Sequence, residues 1–283
     1  PDKEVDHDSV FNIFSLPFPD LELRATIGTL KYHRYELKDF NTVLHLKPDH
    51  TLKVDTLSVG IAKGTIGLSG AFTAKDPRDI RFTSTLTARD VDLDALMIKF
   101  DNFGQDVLLN KNLHGRVSGT VQSSWPMHAD LTPIMENGEA HLGIEVVGGS
   151  LVDFAPMHAM ADLFADKNLD LVRFDTLRND LHLKDGVLDI PAMNLNSSLG
   201  YIELSGKQYL DLRMEYYLRI PWSLVSQAAS TKLFGGKRKE EVDPEQVDAI
   251  QYRDADKRVR TLNVKVTGTP DEYDITLGRD KGR

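Results

Sequence analysis

The sequence predicts a mainly β protein: a long curved antiparallel sheet, built by repetition into a groove or half-barrel, with about three short helices. Three observations predict it. Period-two alternation of apolar and polar residues dominates the chain, a strand–turn–strand unit recurs, and helical spacing is confined to three short segments.

Alternation is longest in Leu210-Asp211-Leu212-Arg213-Met214-Glu215-Tyr216-Tyr217-Leu218-Arg219-Ile220. Every even position there is apolar, while Asp211, Arg213, Glu215 and Arg219 point the other way. One strand is expected over 210–220, about 35 Å of extended chain at roughly 3.3 Å per residue. Such a strand buries one face and wets the other. Residues 81–89 follow the same rule, with Phe82, Leu86 and Ala88 against Arg81, Thr83, Thr85 and Thr87. A closing hairpin is expected over 262–277, where two alternating runs flank Gly268-Thr269-Pro270-Asp271.

The repeat appears when residues 40–70 are laid on 177–206 with a one-residue gap. Leu44-His45-Leu46-Lys47 then falls on Leu181-His182-Leu183-Lys184, and Leu52 falls on Leu188. Gly64, Ile66, Leu68, Ser69 and Gly70 fall on Gly200, Ile202, Leu204, Ser205 and Gly206. Each unit reads as a strand, an aspartate-containing turn (Pro48-Asp49, Asp185-Gly186), a strand, a small-residue turn and a strand ending in Ser-Gly. A β unit recurring in this way suggests a sheet extended by accretion.

The helices are expected over 92–103, 156–166 and 223–234. Leu93, Leu96, Met97 and Phe100 share one face of the first; Met157, Met160, Ala161 and Phe164 share one face of the second, which opens at Pro156. The third starts at a Ser223 cap and stops at Gly235-Gly236. Residues 237–260 hold seven basic and seven acidic side chains, the composition of a solvated loop. The expected division is a lead-in at 1–20, a first β segment over 21–135 and a second over 136–283.

Composition excludes several kinds of chemistry. The net charge of -9 lacks the basic stripe that displaces counterions from nucleic acid. With no cysteine there is no disulfide framework, thiol catalysis or cysteine-based zinc site. P-loop, dinucleotide-binding, HExxH and GxSxG motifs are absent, so no catalytic residue and no cofactor is expected. No two of the nine histidines stand at the i, i+4 spacing of a helical metal site, and none is expected. His45 and His182 are read as outward-facing strand residues, opposite their flanking leucines. Asp90, Asp92 and Asp94 are read as helix-start residues rather than calcium ligands, because the run lacks the glycine and distal glutamate of a calcium loop. Trp125 and Trp222 precede or follow prolines at strand ends; they are candidates for a membrane or lipid-facing rim, with corner packing the alternative.

The run Leu177-Arg178-Asn179-Asp180-Leu181-His182-Leu183-Lys184-Asp185-Gly186-Val187-Leu188-Asp189-Ile190, continued to Leu204-Ser205-Gly206, resembles the C-terminal region of the AsmA-like family. The strand-and-helix segment 138–164 and the closing hairpin, with Val-Thr-Gly-Thr-Pro-Asp before its last strand, fit the same pattern. The resemblance spans about residues 20–280 and rests on pattern rather than on an invariant motif. It implies an envelope protein of Gram-negative bacteria, in the periplasm and held to the inner membrane by an anchor lying upstream of this chain. A chain beginning at Pro1 without an initiator methionine is read as a mature or excised piece of such a protein. The resemblance further implies a groove that passes phospholipids between membranes and supports outer-membrane integrity, with envelope proteins as further partners.

The residues lead in the same direction by themselves. A long sheet with one apolar face must cover it with helices, a second sheet or a ligand, since exposed apolar surface costs about 25 cal/mol per Å². Acyl chains are a natural cover, held without directional bonds. The residues expected to line the lipid lane are Phe82, Leu86, Leu210, Leu212, Met214, Tyr216, Leu218 and Ile220. The competing readings are a closed sandwich core, a non-enzymatic scaffold for outer-membrane protein assembly that works through its sheet edges, and a carbohydrate-active β-enzyme, for which no pair of carboxylates is marked out.

Overall fold

A computed structural model describes residues 12–32, 35–99, 111–153, 168–222, 249–254, 259–269 and 272–279. The fold is mainly β, as expected. Thirteen strands form one antiparallel sheet: β1 (Leu21–Tyr32), β2 (Tyr35–Lys47), β3 (Thr51–Ile61), β4 (Gly64–Asp76), β5 (Asp79–Asp92), β6 (Leu113–Pro126), β7 (Glu139–Val152), β8 (Leu171–Lys184), β9 (Val187–Ser197), β10 (Gly200–Tyr209), β11 (Met214–Pro221), β12 (Thr261–Gly268) and β13 (Tyr273–Arg279). Strand order follows chain order throughout, and β1 and β13 are its edges.

The repeat maps onto equivalent strands: 40–70 covers β2–β4 and 177–206 covers β8–β10. Leu44 to Lys47 and Leu181 to Lys184 each end the first strand of a unit, and the turns that follow use residues with positive φ, His50 (+56°) and the pair Asp185 (+49°) and Gly186 (+73°). Two consecutive positive φ values match the right-handed twist of the flanking strands. The Ser-Gly pair sits inside β4 and β10 rather than at their ends. The glycine is needed there because the next strand comes close. A Cβ on Gly70 would stand 2.3 Å from the Thr83 carbonyl oxygen, and one on Gly206 would stand 2.3 Å from the Glu215 carbonyl oxygen.

Two compact units share these strands. One contains residues 1–91, 118–143 and 180–188, the other 92–117, 144–179 and 189–283. The first has a core of Ile13, Phe72, Ala74 and Ile80. The second has a larger one of Leu169, Val172, Leu199, Ile202, Met214, Ile220, Leu262, Val264 and Val266.

Of the three expected helices, one is described: α1, Leu93–Lys99. The Asp92 carboxylate accepts a hydrogen bond from the Ala95 N–H at 3.0 Å, the capping role expected of this acidic run. The helices expected over 156–166 and 223–234 lie outside the described residues. Of the charged segment, 249–254 and 259–260 carry no regular structure. The closing hairpin is β12 and β13, paired from Leu262↔Arg279 to Gly268↔Tyr273.

The eleven-residue strand expected over 210–220 is corrected. β10 ends at Tyr209 and β11 starts at Met214, so Leu210 and Leu212 occupy a hairpin turn and are exposed. Asp211 makes the turn: its carboxylate accepts from the Arg213 N–H at 3.1 Å, while Tyr209 and Arg213 close the ladder at 2.8 Å.

Candidate functional site: an aliphatic sheet face

Antiparallel register places directly opposed residues on the same face. In β1–β5 it lines aliphatic side chains into rows that run across the strands. One row is Leu21–Leu46–Leu52–Phe72–Phe82, and a second is Ala25–Thr42–Leu57–Leu68–Leu86. Between them lie Leu23, Leu44 and Val54, followed by Gly70 and Ser84. In β3 the apolar residues change parity, from Leu52 and Val54 to Leu57, Val59 and Ile61. A bulge between Val54 and Leu57 absorbs the change and keeps all five on one face. Thr42 is the polar member of its row; it is buried, and its hydroxyl donates to the Thr56 carbonyl at the bulge, at 3.0 Å.

This face is not closed like a core. On the edge strand Leu21, Leu23 and Ile27 are 45%, 44% and 36% exposed, and Leu44, Leu46, Leu52, Val54, Leu57, Leu68 and Leu86 are half-buried. Val59 and Ile61 are buried at one end of β3, and Phe72 is buried at the other. There the 3-10 turn Ile13–Ser15 brings Ile13, Phe14 and Phe18 against Phe72, Leu52 and Phe82. Two bonds pin this segment: the Ile13 N–H donates to the Ala129 carbonyl at 2.9 Å, and the His50 ring lies 3.1 Å from the Leu16 carbonyl oxygen.

The expected lining residues divide between the two units. Phe82 and Leu86 belong to the first and lie on the half-open face. Met214, Tyr216, Leu218 and Ile220 belong to the second, in β11. Met214 and Ile220 are buried in its core, with Tyr216 and Leu218 packed against it. The Tyr216 hydroxyl donates to Gln208 Oε1 at 2.6 Å, and burial pushes its phenol above the ordinary 10.0. Leu210 and Leu212 are off the face, as described. Trp222 packs against the second core, and its backbone N–H donates to the Arg260 carbonyl at 2.7 Å. Trp125 lies two residues from Ser123, whose hydroxyl meets that of Ser84 at 2.9 Å between Phe82 and Leu86; alternation puts the indole on the aliphatic face. The leucines of β1–β3 are not among the lining residues expected from the sequence. Their signal is the alternation Leu21, Leu23, Ala25 and Ile27, opposite the repeat leucines.

The other face is polar. His45 lies there, 2.8 Å from Asp55, whose second carboxylate oxygen is 2.6 Å from Lys53. The Lys53 hydrogen bond, with help from His45, holds the Asp55 carboxyl below its usual range. His182, the repeat equivalent of His45, is likewise on the polar face, beside Glu139. Among the described residues, Glu139, His141 and His182 are the group whose ligand atoms converge closely enough to hold a metal ion.

No model of a known protein family, no curated protein and no solved structure matches this chain.

Chemically, the aliphatic face offers area without directional bonds. It suits a ligand with a long flexible hydrocarbon portion, and the polar face offers that ligand nothing.

Proposed function

We propose that this chain is a periplasmic lipid-binding module. In this reading it carries phospholipid acyl chains along the aliphatic face of β1–β5 and supports transport between inner and outer membranes. The observation that supports it is the set of cross-strand rows from Leu21 to Phe82 and from Ala25 to Leu86, apolar but for Thr42 and, apart from the buried Phe72 and Thr42, exposed or half-buried across five strands. Each Å² left in water costs about 25 cal/mol, so a face of this extent is stabilised by a cover that can slide on and off. Acyl chains fit that requirement, with headgroups left in water. The resemblance to the AsmA-like family points to the same cargo and to an inner-membrane anchor outside this chain.

A second reading, a scaffold for outer-membrane protein assembly, draws on the edges β1 and β13, each of which has one unpaired side in the sheet order. One experiment separates the two. The purified chain is extracted with organic solvent and also examined intact by native mass spectrometry. Stoichiometric phospholipid in both is the expected result. A lipid-free protein that co-purifies with a membrane-protein partner would favour the scaffold.

A further inference from the structure

Glu139 and His141 stand two residues apart on β7, so their side chains share a face, and His182 joins them from the neighbouring strand β8. Glu139 Oε1 is 3.2 Å from His182 Nε2 and 3.7 Å from His141 Nε2. The two imidazoles stack with centroids 4.2 Å apart and planes 9° from parallel. One ligand atom from each of the three residues lies within 4.8 Å of the other two.

These distances are close to those of a coordination shell. Metal–ligand bonds of about 2.1 Å place ligand atoms roughly 3–4 Å apart, so small side-chain rotations at this accessible place would complete it. The donor set also selects the ion. Two imidazole nitrogens and one carboxylate suit a borderline transition ion, whereas calcium and magnesium prefer oxygen alone. We propose that Glu139, His141 and His182 form a divalent transition-metal site that takes zinc, with water completing the shell.

Two further observations bear on it. Glu139 Oε1 is the oxygen nearest both imidazoles. Lys184 Nζ lies 3.9 Å from the same oxygen and competes with the ion for it. Glu139 and His141 also border a shallow trough of about 430 Å³ with Ser69, Thr83, Thr85, Gln122 and Ser124, which leaves room for the water ligand. The site is independent of lipid carriage, since it stands on the polar face.

Zinc chloride titrated calorimetrically into the full chain tests the assignment. One saturable equivalent is expected. Its affinity should fall at least about tenfold in His182→Ala and in Glu139→Gln, the loss that even an outer-shell partner produces. It should rise in Lys184→Met and stay unchanged in His45→Ala, which alters the equivalent histidine outside the cluster. A cobalt titration of the unaltered chain reads the site without any variant: intense visible bands from a nitrogen-containing shell of low coordination number are expected. A spectrum of hydrated cobalt, the absence of a saturable zinc equivalent, or equal zinc affinity in the wild type and both ligand variants would overturn the proposal.

Discussion

The Trp125 indole fills the space that a side chain on Gly138 would take: a Cβ there would stand 2.0 Å from Cε3 and 2.1 Å from Cζ3. The glycine ahead of β7 and the tryptophan near the end of β6 are therefore one packing unit. Gly138→Ala should push the ring outward and destabilise the fold by about 1–3 kcal/mol, the usual cost of overpacking. Made in a Trp222→Phe background, where Trp125 is the remaining indole, the change should lower the urea midpoint and shift emission to the red. An unchanged spectrum and midpoint would mean that the indole does not pack on Gly138.

The lipid-carriage proposal predicts a difference between the two faces. Leu44→Asp puts a carboxylate in the middle of the aliphatic rows, and burying that charge against an acyl chain costs several kcal/mol. At least roughly tenfold less co-purified phospholipid is expected, because each 1.4 kcal/mol is a factor of ten. Thr26→Asp, on the exposed polar side of β1, should leave lipid recovery unchanged. Equal recovery from both variants would count against the lane.

Tyr216 gives a pH signature. Burial holds its phenol protonated above 10.0, the value it regains in the unfolded chain. As pH rises past that value the unfolded chain releases a proton that the folded chain keeps, so stability falls with rising pH in this window. Absorbance titration at about 295 nm should show a late-ionising tyrosine that disappears in Tyr216→Phe, and the alkaline loss of stability should be shallower in that variant.

Leu212 has φ of +68°, a left-handed conformation that costs a leucine roughly 1 kcal/mol. Asparagine tolerates it better, so Leu212→Asn should raise the urea midpoint by up to that amount. As Leu212 is exposed in the turn, lipid recovery should not change.

Much of the sheet is legible in the sequence because each strand's burial follows its own alternation: Leu262, Val264 and Val266 are buried as their spacing requires, and the Leu44 and Leu181 repeats fall on matching strands. The 210–220 error has a definite cause. The turn at Leu210 to Arg213 happens to keep apolar residues at even positions, so period two runs through a chain reversal without a break. The half-buried face was harder to see, because the exposure of Leu21, Leu23 and Ile27 depends on tertiary surroundings and not on their own alternation. The Glu139–His141–His182 cluster carries no helical i, i+4 spacing. On a strand the equivalent signal is i, i+2, and the third member comes from across the ladder, more than forty residues away.

The meander order has a consequence for biosynthesis. Each strand finds its pairing partners in the strands just before and after it in the chain, so most ladders close over short turns, with longer connections only between β5 and β6, β7 and β8, and β11 and β12. A hairpin emerging from a ribosome or a secretion channel can pair at once and serve as the template for the next. Outside those three connections the nascent chain need not hold an unpaired strand open for a distant partner, and its exposure to aggregation is confined to the growing edge.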